Sequence, residues 1–111
     1  MAIEVVWPAT AAAGTTGTLR VLLRHGTRGG VAIDAQIPLP PGVTLAATTR
    51  GTSQVQGVLA IREIVEASGA VIEVPIRFGL AGKVTVPEAT ARISRSSSGI
   101  ATAPARALAV R

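Results

Sequence analysis

The strongest constraint on the fold is a strict two-residue alternation over residues 70–80. Successive side chains of a strand point to opposite faces, so this period belongs to a strand with one buried face. No stretch of the chain shows the three-to-four-residue spacing of an amphipathic helix. Pro75 lies within the run, and we expect its missing N–H to face away from a pairing partner. The apolar side consists of Ile72, Val74, Ile76, Phe78 and Leu80.

A second alternating run, residues 31–37, leads into the proline-rich corner at residues 37–45. Proline fixes φ, lacks an N–H and keeps the preceding residue extended, so this corner suits the end or edge of a strand. Gly42 after Pro41 favours a type II turn. The apolar residues of the corner then close one end of a core. The alternative is a polyproline II ligand for an aromatic groove.

The remaining apolar runs are short and are separated by glycine, proline and polar clusters. We predict further strands at residues 3–7, 18–25, 43–49, 54–65, 83–93 and 101–110, with a bulge or close crossing at Gly57. Turns are expected at residues 50–53 and 66–69, and a serine-rich loop at residues 94–99. About seven or eight strands with regular turn signals predict an all-β, immunoglobulin-like antiparallel β-sandwich. Residues 1–111 are expected to form one domain.

The inward sides of these strands give the expected core. It consists of Leu19, Val21, Leu23, Ile33, Ile37, Leu59, Ile61, Ile72, Val74, Ile76, Phe78 and Leu80. In the C-terminal segment, alanines occupy the odd positions from 101 to 109. We predict that this segment is the last edge strand, with Leu108 and Val110 turned to the core and Pro104 favouring the edge position.

The sequence contains few residues of the types that carry out catalysis. His25 is the only histidine and there is no cysteine, so a metal site or a catalytic triad has few possible members. The glycines at 26, 29 and 30 lack the Lys-Ser/Thr pair of a phosphate loop, and a strand is expected after them. Glu73 and Arg77 share a strand face and are interpreted as cross-strand ion pairs. We therefore expect no enzyme activity, no catalytic or metal-binding residues and no cofactor.

The chain carries a net charge of +5, and this raises the question of an anionic partner. Its basic residues are scattered, whereas a nucleic-acid face is usually clustered. Trp7 and Phe78 are the only aromatic residues, so stacked bases or sugars are poor ligands. The basic residues are Arg20, Arg24, Arg28, Arg50, Arg62, Arg77, Lys83, Arg92, Arg95, Arg106 and Arg111.

No apolar stretch has the length of a membrane span, and the first residues lack the features of a secretory signal. These observations predict either a cytoplasmic protein or an excised domain of a longer exported chain, with its location at the periplasm or cell surface.

Two segments carry a resemblance to known proteins. The corner at residues 39–43 and the run at residues 86–92 resemble the C-terminal domain of bacterial alpha-2-macroglobulin-like proteins. Residues 71–92 are similar to a strand pair of that family. Residues 40–45 are also similar to the corner of immunoglobulin-like repeat modules in bacterial surface proteins. Both resemblances imply a β-sandwich with a non-enzymatic role.

Three functional hypotheses remain open. The first is a structural or protein-binding module of a larger exported protein, as both resemblances imply. The second is a free-standing β protein that self-associates through its edge strands, since edge strands are templates for pairing. The third is a basic binder of nucleic acid or of an anionic surface, which requires salt-sensitive binding.

Overall fold

The computed structural model describes residues 2–8, 11–26, 29–47, 51–93 and 100–111. Within these ranges the chain forms eleven strands and no helix. The predicted all-β class is confirmed, although the strand number exceeds the expected seven or eight. The strands are β1 Ala2–Val6, β2 Thr16–Arg24, β3 Val31–Pro38, β4 Val43–Leu45, β5 Thr52–Val55, β6 Val58–Val65, β7 Ala70–Phe78, β8 Gly82–Val86, β9 Ala89–Ile93, β10 Ala101–Ala103 and β11 Arg106–Val110. The expected loop at residues 94–99 lies outside the described residues.

Two antiparallel sheets enclose the core. One has the order β1-β2-β7-β4 and the other the order β10-β9-β3-β6-β5. Strands β1, β2, β4 and β7 correspond to strands A, B, D and E of an immunoglobulin constant-type domain, and β3, β9 and β10 correspond to strands C, F and G. β5 and β6 are two additional strands between D and E. A separate two-stranded ladder, β8 with β11, accounts for the other two additional strands.

The alternation in β7 gives the expected buried face up to Phe78 and then ends. Val74, Ile76 and Phe78 are fully buried, and Ile72 is partly buried. Leu80 was expected in the core, but it is 60% exposed. The strand stops at Phe78 because the Gly79 N–H donates to the carbonyl of Gly42, 2.6 Å away, so the chain turns across the proline corner.

The rest of the expected core is confirmed, and several buried residues were missed. The confirmed residues are Leu19, Val21, Leu23, Ile33, Ile37, Leu59 and Ile61. Most of the missed residues are small or lie near strand ends, where sequence alternation is short. They are Ile3, Trp7, Ala11, Ala35, Val65, Val86, Ala89, Ala91 and Ala103. The burial of Leu39 and Val43 was expected from the proline corner.

The proline corner forms the predicted turn. The Val43 N–H donates to the Pro40 carbonyl at 3.1 Å, and Gly42 has φ of 84°. Pro41 and Gly42 are therefore the central residues of a type II turn. Leu39 and Val43 are buried on either side of it and close that end of the core.

Pro75 sits between β2 and β4 without breaking the sheet. Its carbonyl accepts the Ala46 N–H at 2.9 Å, so its nitrogen also faces the β4 side. Ladder pairing of β4 ends one residue earlier, at Leu45. The missing N–H therefore faces away from β2 and towards Ala46, the residue just after the end of the β4 ladder.

The expected strand at residues 54–65 is instead a hairpin. Val55 pairs with Val58, and the two residues between them have positive φ, 51° at Gln56 and 78° at Gly57. Two such residues form a type I′ turn, which matches the twist of the flanking strands. Gly57 therefore marks a chain reversal and not a bulge. Thr52, expected in a turn, already belongs to β5.

The C-terminal segment also differs from one continuous strand. β10 pairs with β9, whereas β11 pairs with β8. Between them Pro104 and Ala105 shift the alternation, so Ala103 is buried in β10 while Leu108 and Val110 are buried in β11. The burial predicted for Leu108 and Val110 is confirmed, but the single alanine face is wrong because the chain changes sheets.

Residues 2 and 111 lie at opposite ends of the sandwich. Ala2 pairs with Arg24 at the last residue of β2. Arg111 exchanges main-chain hydrogen bonds with Ala11 and Ala13, close to the point where β2 begins. The molecule is elongated, with extents of 42 × 24 × 24 Å.

Candidate functional site

His25 is buried and makes a hydrogen bond within the fold. It is buried at the end of β2, and its Nε2 lies 2.6 Å from the Val65 carbonyl oxygen. A carbonyl oxygen only accepts, so Nε2 carries the proton and donates it. The contact ties the end of β2 to the last residue of β6. In the ranges that the structure describes, no group of three or more His, Asp or Glu side chains could hold a metal ion.

The predicted cross-strand ion pair is present for Glu73. Arg20 lies opposite Glu73 on β2, and its Nε is 3.7 Å from the Glu73 carboxylate. Both side chains are about 60% exposed, so the pair contributes little to stability. Arg77 instead lies opposite Thr16 and Thr44.

A second polar group occupies the outer face of the five-stranded sheet. Asp34 on β3 lies between Arg62 on β6 and Arg92 on β9. The Arg62 Nε donates to the Asp34 carboxylate at 2.8 Å. This hydrogen bond and the negative charge of Asp34 raise the pKa of Arg62. Arginine is charged at all ordinary pH values, so the pair fixes the guanidinium in place without creating an acid or base.

The basic residues of the described chain are distributed over several surfaces. Arg20, Arg24 and Arg77 lie on the outer side of the four-stranded sheet, beside two glutamates. Arg62 and Arg92 flank Asp34 on the other sheet. This distribution lacks the single basic face that nucleic-acid binding normally requires.

An apolar groove lies where β1 faces the ends of β9 and β10. Its volume is about 210 Å³. On one side it is lined by Ile3 of β1 and by Trp7, which follows β1, and on the other side by Ala89 and Ala103 of the opposite sheet. These two alanines lie directly opposite each other in the ladder. Their short side chains leave the space unfilled, and we refer to it below as the alanine groove.

Arg106, which is exposed at the start of β11, lines the alanine groove. Glu4 also borders it from β1, but it alternates with the inward residues Ile3 and Val5 and so belongs to the outer side of that sheet. Sequence reasoning did not identify the groove because its walls come from segments that are distant in the chain. Its one sequence signal is the set of alternating alanines at residues 89, 91, 101 and 103, which gives both strands short side chains.

The chain thus folds as an immunoglobulin-like β-sandwich with an apolar groove at its side. No family model matches the chain. No curated protein matches it. The macroglobulin resemblance is therefore not confirmed. No helix in the described ranges is long and apolar enough to cross a membrane.

Among solved structures, the chain is similar to a crystal structure from Corynebacterium diphtheriae described as a membrane-anchored protein. The TM-score is 0.61 at 19% sequence identity, and the match covers 98% of this chain and 32% of that one. At this identity the likeness is one of fold. The chain spans about a third of the length of that protein.

Proposed function

We propose that the chain acts as a non-catalytic structural or protein-binding module in a longer bacterial cell-surface protein. The observation that carries the proposal is the position of the two ends. Ala2 and Arg111 lie at opposite ends of an elongated sandwich, so neighbouring modules would follow one another in a line. This geometry suits a unit that holds other domains away from a cell.

The structural comparison supports the same role. Nearly the whole chain matches about a third of a protein described as membrane-anchored. The resemblances to macroglobulin-like C-terminal domains and to repeat modules of surface proteins point to the same class of use. The side chains of His25, Asp34 and Glu73 make contacts within the fold, which supports a structural use of these residues.

Localisation in the native bacterium tests this proposal. The gene is given an epitope tag at its own locus, and intact cells are treated with an external protease before immunoblotting. We expect the tagged product to be degraded in intact cells, while a cytoplasmic control protein survives. Protection of the tagged product until the cells are lysed would overturn the assignment to the cell surface.

A further inference from the structure

The two sheets of the sandwich come together along one side at their edge strands, β4 and β5. No ladder joins these two described strands. A side chain bridges them instead, because the Leu45 N–H donates to the Gln54 Oε1 at 2.8 Å. Gln54 lies opposite the buried Leu59, so its side chain points inward, towards the sheet that contains β4. The amide of Gln54 thus occupies the position that a neighbouring strand would take beside β4.

The hydrogen bonds along β4 show how much depends on this bridge. The Ala46 N–H bonds to the Pro75 carbonyl of β7, and main-chain groups alternate in direction along an antiparallel ladder. The main-chain groups of Val43 and Leu45 therefore face away from β7. The Val43 N–H is used in the turn of the proline corner, and the Leu45 N–H is bonded to Gln54. Both outward N–H groups of β4 are thus bonded within the fold.

The outer edge of β5 lies beside the same bridge. The Arg62 N–H donates to the Gly51 carbonyl, so the main-chain groups of Gly51 face β6. By the same alternation, those of Thr52 and Gln54 face away from β6, towards β4. Val55, at the end of this strand, is 62% exposed. Loss of the bridge would free a donor on β4 and uncover the edge of β5 next to it.

The sequence of the two strands indicates which partner would use such an edge. Exposed strand edges pair with other strands unless charges, prolines or bulges prevent it. Residues 43–45 and 52–55 contain no charged side chain and no proline. Two copies of this chain could therefore approach here without local charge repulsion, although the whole chain carries +5. Identical edges in a two-fold arrangement also make a closed contact.

We propose that the Gln54 side chain is an autoinhibitory contact, which prevents a second copy of the chain from adding to the β4–β5 side of the sandwich. The contact satisfies the Leu45 N–H and covers the space between the two edge strands. This inference does not rest on the proposed function, since it concerns the side of the sandwich and holds at any location in the cell.

Amide hydrogen exchange followed by NMR tests the contact itself. Gln54→Met keeps the length of the side chain but removes the acceptor, whereas Gln54→Glu keeps an acceptor oxygen. We expect the Leu45 amide to be protected in the wild-type chain and to exchange at least about tenfold faster in Gln54→Met. Gln54→Glu should retain most of the protection, and the Val43 amide serves as an internal control. An unprotected Leu45 amide in the wild type, or unchanged exchange in Gln54→Met, would overturn the proposal.

Sedimentation velocity at protein concentrations up to about 1 mM tests the consequence. We expect Gln54→Met to dimerise with a Kd below about 1 mM and with NMR line broadening centred on β4 and β5. The wild type and Gln54→Glu should show no such association. Gln36→Met makes the same change at an exposed position of β3 and controls for the added apolar surface.

A folded Gln54→Met chain that associates no more than the wild type would refute the inhibitory role. Association of Gln36→Met to the same extent, or broadening centred on other strands, would also refute it. If Gln54→Met does not fold, Gln54→Ser places the acceptor out of reach with a smaller polar side chain. The same outcomes then decide the proposal, and the wild-type exchange of Leu45 tests it without any variant.

Discussion

Two leucines near the proline corner and the C-terminus give the sharpest test of the packing. Leu80 extends the β7 alternation but is 60% exposed, whereas Leu108 in β11 is only 7% exposed. Sequence periodicity predicts that both side chains are buried. The structure predicts a large loss for Leu108 alone, because truncation of a leucine costs free energy mainly when its side chain is buried.

The magnitudes follow from burial. Leucine-to-alanine changes in cores cost about 2–5 kcal/mol, and Leu108 should fall near the lower end because it lies at the rim of the core. Leu80→Ala should cost no more than about 0.5 kcal/mol, as usual for surface positions. Since a domain of this size loses roughly 4–8 °C per kcal/mol, Leu108→Ala should lower the Tm by about 10 °C and Leu80→Ala by a few degrees at most.

The assay is thermal unfolding followed by far-UV circular dichroism, with urea unfolding as a second measure of the free energy of unfolding. Ala107→Ser is the matched control, because Ala107 is exposed beside Leu108. Equal losses for the two leucines, or a larger loss for Leu80→Ala, would refute the placement of β11 against the core.

Three further changes test individual turns and contacts by the same measurements. Gly42→Ala should cost at least about 1 kcal/mol, because φ is 84° and the new Cβ would lie 2.8 Å from the Leu80 Cβ; an unchanged Tm would argue against the type II turn. Gln56→Asn should raise the Tm by a few degrees, since Asn-Gly is a preferred type I′ pair, and a lower Tm would contradict the hairpin at residues 55–58. His25→Ala should cost about 1–3 kcal/mol by leaving the Val65 carbonyl without its histidine donor, and a neutral effect would show that this bond is dispensable.

Local patterns predicted the elements whose structure is set by nearby residues. The alternation in β7 gave its buried face, and Pro41 with Gly42 gave the turn. Each depends on backbone preferences that act within a few positions. The immunoglobulin-like class followed from the number and spacing of such elements.

Features that depend on distant pairing were not predictable in this way. Gly57 fits a bulge or a hairpin equally well until Val55 is seen to pair with Val58. The shift at Pro104 becomes evident only when β10 and β11 are assigned to different partners. The alanine groove requires β1 to face β9 and β10, a contact that no local pattern encodes.

The central claim is that residues 2 and 111 lie at opposite ends of the sandwich. The absence of cysteine allows a clean double variant, Ala2→Cys with Arg111→Cys, to carry two spin labels. β2 joins the two ends through nine residues, and at about 3.3 Å per residue the labels should be separated by roughly 25–30 Å along the strand axis.

Pulsed electron paramagnetic resonance measures this distance directly in the intact, folded protein. One narrow distribution at or above about 25 Å is the result that the linear module predicts. A distribution centred below about 15 Å would place both ends on the same side of the sandwich and would contradict the account.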